Sequence, residues 1–311
     1  MKKLCFAALA ALAFVGCNEK NVEPAEVLDG EKIQLTVKIP GNVTRVTGTP
    51  SDAQINDLQI FVFDRNGIYE TSSQGSGSAL SLTCTSGEKK IVALVNAPLV
   101  TGVGNIAELR SKTSDLKDCA AGNIVMAGEI TQQLTASSTV TMQVERLAAR
   151  IGVSRITADF ALEQHKQLPF EVKAIYLINV AGNKAYLGEG DPTVWYNESG
   201  YVPETSPLFL HDYVTAGQIA DGGTYDTSHY FYCYPNATAT KTRLVVEAKA
   251  GEYTYYYPVT LDAVEANTSY DYNLTITRLG SDSPDVPVEE GAVTFTVTVK
   301  DWVEQNVSET I

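Results

Sequence analysis

The sequence predicts an all-β fold, on three observations. Two segments near opposite ends, Ile33-Gln-Leu35-Thr-Val37-Lys-Ile39 and Val293-Thr-Phe295-Thr-Val297-Thr-Val299, alternate apolar and polar residues without a break. Strict period-two alternation is the mark of a strand with one face on a core, here with four side chains inward in each copy. Between them, short apolar runs recur with turn residues separating them, and only one stretch, Asn105 to Leu116, has helical spacing, through Ile106, Leu109 and Leu116. Many short strands with little helix are the pattern of β-sandwiches.

After Ile33–Ile39, strands are expected at Leu58–Phe63, Leu80–Cys84, Lys90–Asn96, Ile124–Ala127 and Val140–Val144. Asp64-Arg-Asn-Gly67 closes the first of these as a hairpin-type turn, and Gln74-Gly-Ser-Gly-Ser78 is a loop. Glu145-Arg-Leu-Ala-Ala-Arg-Ile151 carries the chain into a second set at Ile151–Ile156, Glu171–Val180, Tyr225–Tyr234, Leu244–Lys249, Tyr253–Leu261 and Tyr270–Thr277. Between Val180 and Tyr225, Gly, Pro, Asn and Ser predominate, which predicts a long surface connection with room for one short helix. With 311 residues and about 150 per domain, two domains are expected. Their bounds fall at 31–147 and 148–311, after a leader at 1–17 and a polar tether at 18–30.

The leader reads as a targeting segment. Lys2 and Lys3 precede an apolar run from Leu4 to Val15, too short to span a bilayer, which ends in Phe14-Val-Gly-Cys17. A cysteine after a small residue at that point resembles a bacterial lipoprotein signal, in which it is acylated; ordinary cleavage nearby is the other reading. Of the remaining thiols, Cys84, Cys119 and Cys233, the first two form a disulfide or stay as buried free thiols, and spacing does not decide between these.

Chemistry-bearing patterns are sparse. A net charge of -14 without a basic cluster argues against nucleic-acid binding. His165, His211 and His229 fall in no metal-binding spacing, and no nucleophile elbow, phosphate loop or dinucleotide fingerprint occurs. No catalytic, cofactor or metal residue is therefore assigned, and an enzyme is not expected. The tyrosine-rich runs Tyr230–Tyr234 and Tyr253–Tyr257 read as cross-strand pairs, with a sugar-stacking platform as the alternative.

Four segments resemble the Bacteroides-type fimbrillins, the subunits of type V pili. They are Ile55-Asn-Asp-Leu-Gln-Ile-Phe-Val-Phe-Asp-Arg-Asn-Gly67, Ile91-Val-Ala-Leu-Val-Asn-Ala-Pro98, Val144-Glu-Arg-Leu-Ala-Ala-Arg-Ile-Gly-Val153, and the ending from Asn267-Thr-Ser-Tyr270 to Asp301-Trp302. The resemblance implies two transthyretin-like β-sandwich domains with short helical insertions, and export as an outer-membrane lipoprotein lipidated at Cys17. It further implies cleavage by an arginine-specific surface protease, departure of the first strand, and its replacement by the carboxy-terminal strand of another subunit. Carried onto this chain, the cut follows Arg45, the removable segment is 31–45 with Ile33, Leu35, Val37 and Ile39 inward, and the donor lies in 291–311. Its residues are Val293, Phe295, Val297, Val299 and Trp302. The product is a shaft subunit of a cell-surface fimbrium acting in adhesion and biofilm formation; its partners are further copies of itself and other pilus subunits. The alternatives are a tip or anchor subunit of the same pilus, and a glycan-binding surface lipoprotein.

Arg45 follows Gly41 and Asn42, residues of an accessible loop, whereas Arg146 and Arg150 fall in structured backbone and Arg65 in the turn is the rival site. The Pro-rich stretch from Gly280 to Gly291 is expected to act as an extended linker spanning up to about 40 Å.

Overall fold

The computed structural model describes residues 30–40, 52–215, 217–262, 264–288 and 293–301. Nearly all of its regular structure is strand. The first half comprises β1 (Lys32–Lys38), β2 (Leu58–Asp64), β3 (Tyr69–Gly75), β4 (Ala79–Thr85), β5 (Gly87–Val95), helix α1 (Ile106–Arg110), β6 (Thr113–Asp115), β7 (Met126–Leu134), β8 (Ser138–Thr141) and β9 (Glu145–Arg146). A three-stranded sheet, β4-β1-β8, packs against a five-stranded sheet, β3-β2-β5-β7-β9. The core between them is filled by alternate residues of each strand, among them Leu35, Leu58, Ile60, Ile91 and Met126. The period-two pattern of β1 thus finds the face it predicts.

The second half comprises β10 (Ala149–Ala158), α2 (Glu163–Lys166), β11 (Phe170–Ile178), β12 (Val180–Ala181), β13 (Asn183–Ala185), β14 (Trp195–Tyr196), β15 (His211–Tyr213), β16 (Thr224–Tyr225), β17 (His229–Cys233), β18 (Arg243–Ala250), β19 (Tyr253–Thr260), β20 (Thr268–Ile276) and β21 (Val293–Asp301). One sheet runs β16-β10-β20-β21, with β17 also on β10, and the other runs β15-β11-β18-β19. Their core includes Ile151, Phe170, Ile175, Phe231, Leu244 and Leu274. It continues without a gap onto the outer face of the β2–β5 layer through Phe61, Phe63, Val92 and Leu94. The short pairing of β6 with β13 bridges the two halves.

Local expectations change, and the strand expected at Ile124–Ala127 starts at Met126 and runs on to Leu134. The helix expected over Asn105–Leu116 is one turn and a half, Ile106–Arg110, capped by Asn105, whose side chain accepts from the Glu108 amide at 3.0 Å. The chain then extends so that Thr113–Asp115 can pair with β13, and Leu116 re-enters the same core from a 3₁₀ turn. Apolar spacing registered the buried face, not the break within it. Strand β3, polar after Tyr69, has no alternating apolar signature and is held by pairing with β2.

The Asp64 turn forms as expected. The Asp64 carboxylate accepts from the amides of Asn66 and Ile68, both at 2.8 Å, and Gly67 takes φ +81°. A Cβ on Gly67 would also meet the Ile106 side chain at 2.8 Å. That close approach seats α1 on the hairpin.

Candidate functional site

Strand β1 occupies the centre of its sheet, antiparallel to β4 and parallel to β8, with Leu35 opposite Leu82 and Ser138. Its inward side chains are sealed: Ile33, Leu35, Val37 and Ile39 are 6%, 0%, 0% and 3% exposed. Outward, Thr36 shares a hydroxyl hydrogen bond with Ser81 at 2.8 Å. The backbone is tied at both ends. The Ser86 amide donates to Glu31 O at 2.8 Å; at the other end the Ile39 amide donates to Ser78 O at 2.8 Å, and the Met142 amide to Lys38 O at 3.0 Å. Removing β1 would leave a groove floored by the apolar residues of β2, β5 and β7 and walled by two unpaired strand edges, the geometry that templates addition of a strand.

Strand β21 has the same alternation in the opposite environment. It lies at a sheet edge, paired along its length with β20 only, from Ile276 opposite Val293 to Thr268 opposite Asp301. Val293 is partly buried, yet Phe295, Val297 and Val299 are 47%, 39% and 56% exposed. The expectation that four side chains face a core is therefore met by β1 and not by β21. Among the described residues, β21 has one hydrogen-bonded neighbour and no apolar face covering Phe295, Val297 and Val299. Phe295 has a tilted contact with Tyr272, ring centroids 5.7 Å apart. Cys17, Arg45 and Trp302 lie outside the described residues.

The stretch that leads to β21 is fastened rather than free. Ser281 and Tyr256 exchange backbone hydrogen bonds, both at 2.9 Å. The Asp285 carboxylate accepts from Arg243 Nη1 at 2.7 Å and from Asn179 Nδ2 at 2.9 Å, and Val288 packs on the core. The expectation of an extended linker from Gly280 is corrected accordingly: the chain is held to its own body as far as Val288.

Asp52, the first described residue after the segment containing Arg45, is fixed to the second half of the chain. Tyr232 Oη donates to its carboxylate at 2.7 Å, Arg150 Nη1 approaches the other oxygen at 3.3 Å, and Arg146 Nε donates to its carbonyl at 3.1 Å. Burial pushes the Asp52 carboxyl above the usual carboxylate range, against the opposing pull of Tyr232 and the two arginines. Arg146 and Arg150 lie in β9 and β10, structured backbone as expected, and both are engaged in this network. Arg65 is exposed in its turn.

The three described thiols are free and buried. Cys84 lies on β4 in the core beside β1, opposite Ile33, while Cys119 lies in the other core, so the two do not pair. Burial raises all three, Cys119 to about 11 and Cys233 to about 12. Among the tyrosines weighed as a sugar platform, Tyr257 is fully buried and meets Phe170 edge-on at 6.3 Å, which makes it core; Tyr255 is half-buried.

Residues 33–155 match the family model described as the major fimbrial subunit protein, FimA. Along almost the whole chain, the sequence is 24% identical to a FimA type-2 major fimbrium subunit of Porphyromonas gingivalis, covering 99% of this chain and all of the relative, and 25% identical to a type-3 subunit with the same coverage. The fold is similar to that of a fimbrilin from Porphyromonas gingivalis, with a TM-score of 0.65 at 18% identity over 88% of this chain and 98% of that one. It is also similar to a candidate cell adhesion protein from Bacteroides eggerthii, with a TM-score of 0.71 at 21% identity over 88% and 97% of the two chains. The chain is thus similar to the FimA-type major fimbrial subunits, by their family model at residues 33–155 and by sequence along almost its whole length.

Proposed function

We propose that this chain is a shaft subunit of a cell-surface fimbrium that polymerises by strand exchange. The precursor is exported as an outer-membrane lipoprotein held through Cys17. An arginine-specific surface protease cuts after Arg45, β1 leaves, and the groove takes up residues 293–299 of another copy. The observation that carries this reading is the contrast between the two alternating strands: one is buried on the face its pattern demands, and the other displays that face to solvent.

The energetics support the exchange. Burying four aliphatic side chains is worth about 6 to 12 kcal/mol gross, comparable with the net stability of about 5 to 15 kcal/mol of a whole domain. A subunit without β1 therefore needs a replacement. On β20, β21 has its hydrogen bonds along one edge, but Phe295, Val297 and Val299 lie about half exposed. In the groove it would gain a second edge and an apolar floor, so the move is downhill. A subunit with both a removable strand and an available donor suits the shaft, since a tip needs no donor and an anchor keeps its lipid. Covalent continuity from Cys17 through Arg45 holds the subunit at the membrane until processing.

Purified precursor treated with an arginine-specific protease is expected to acquire a new amino terminus at Val46 and to form a ladder of denaturant-resistant oligomers. A trimmed chain that stays a stable monomer would rule this function out. Deleting residues 293–311 should leave cleavage intact and remove the ladder.

A further inference from the structure

The two ends of the β1 groove differ, and the tether upstream of β21 is short. Together they decide how a second copy must approach. We infer that the donor enters in the direction of β1, with Phe295 in the place of Leu35, and that the neighbour's tether, Ser281–Val288, seats in the cleft at the amino-terminal end of the groove. The inference rests on the strand-exchange reading proposed above.

Register follows from the outer flanks of the donor's apolar run. Its inward positions are Val293, Phe295, Val297 and Val299, bounded by Gly291 and Asp301, and those of β1 are Ile33, Leu35, Val37 and Ile39. A slip of two residues one way brings Asp301 to a buried position without a partner. The opposite slip places Gly291 where Ile33 sits and leaves a void. Only four on four fills the groove.

Direction follows from volume. Entering as β1 runs, Phe295 replaces Leu35 and Val297 replaces Val37, so the large residue falls at the large site and valine at the valine site. Reversed, Val297 falls at the Leu35 site and Phe295 at the Val37 site. That would put a cavity and an overpacked ring side by side at two positions that are fully buried.

With direction set, the neighbour's tether arrives where β1 begins. Beside Gly30 and Ser86 lies a cleft of about 840 Å³ whose wall carries Arg65, Ile68 and Tyr69. Five Cα steps separate Val288, which is packed on its own body, from Val293; they span at most about 17 Å. The neighbour's body must therefore stand against this cleft. The surfaces suit each other: Ile68 is 55% exposed and Val286 on the tether is 49% exposed, while Arg65 is the exposed cation facing a tether that carries Asp282. Of the acids around the cleft, Glu70 is paired with Lys89 and Asp64 is engaged by the turn amides, leaving Glu88 on its rim.

The test uses chains beginning at Asn18, processed by an arginine-specific protease and treated with a short bis-maleimide after assembly. Oligomers built from Ile68→Cys and Val286→Cys chains are expected to cross-link at least about fivefold more than those pairing Val286→Cys with Ser78→Cys, which marks the other end of the groove. A preference for Ser78, or no cross-link at either position in chains that do polymerise, overturns the inference and leaves strand exchange standing. If the parent forms no oligomers, both fail. A second arm exchanges the sizes: Phe295→Val with Val297→Phe, both exposed in the free subunit, is expected to slow assembly about tenfold. Unchanged or faster assembly contradicts the assigned direction.

Discussion

A Val297→Asp chain is expected to melt like the parent and to form no polymer. In the free subunit this side chain is 39% exposed at a sheet edge. Substitutions at such sites usually change stability by less than about 0.5 kcal/mol, which moves the thermal midpoint of a chain this size by about 1 to 2 °C. In the groove the same carboxylate would lie in an apolar core with no cation beside it, where burial of the charge costs several kcal/mol or forces the strand out. Calorimetry on the unprocessed chain and gel analysis after protease treatment read the two halves of the expectation. A lowered midpoint would mean that Val297 serves the subunit's own fold. A normal ladder would remove it from the donor.

Leu35→Ala is expected to do the reverse. Leu35 is fully buried at the centre of β1, between Leu82 and Ser138. Truncation there costs about 2 to 5 kcal/mol through lost transfer energy and the cavity left behind. Urea unfolding of the precursor should show that loss as a lower midpoint. Once the strand has been cut away, position 35 is absent from the product, so trimmed Leu35→Ala subunits should polymerise to the same ladder as the parent. The pair of substitutions separates the two strands by role: one change weakens the precursor alone, the other the polymer alone. If Leu35→Ala instead impairs the assembled form, β1 has remained in place.

The parts of the fold that could be read from the chain are those governed by local periodicity. Strand β1 was evident because alternation is a property of consecutive residues, and the Asp64–Gly67 turn because its bonds are made within four residues. Alternation says which side chains want a core, not who supplies it. The same pattern therefore described β1, where the chain itself provides the floor, and β21, which the described residues leave largely uncovered. Polar β3 carried no such signal, since its place is set by register with β2. The fastening of Asp52 joins residues 180 positions apart through Tyr232, and that of Asp285 reaches back 42 positions to Arg243. Composition around Pro284 and Pro287 suggested a free linker. The clamp on Asp285 depends on folded partners and shortens that linker to a few residues.

The exchange of β1 for β21 of another copy can be followed at Cys84. It is 3% exposed on β4, directly beside Ile33 of β1, and a chain beginning at Asn18 has only two other thiols, Cys119 and Cys233, both in the separate core. Timed alkylation with mass spectrometric readout should find all three protected in the precursor. Cys84 alone should become reactive after the cut at Arg45, and it should be protected again as oligomers form, with the other two serving as internal controls. Cys84 that stays protected from the cut through to the appearance of oligomers would mean that β1 never leaves, and would contradict strand exchange as the basis of assembly.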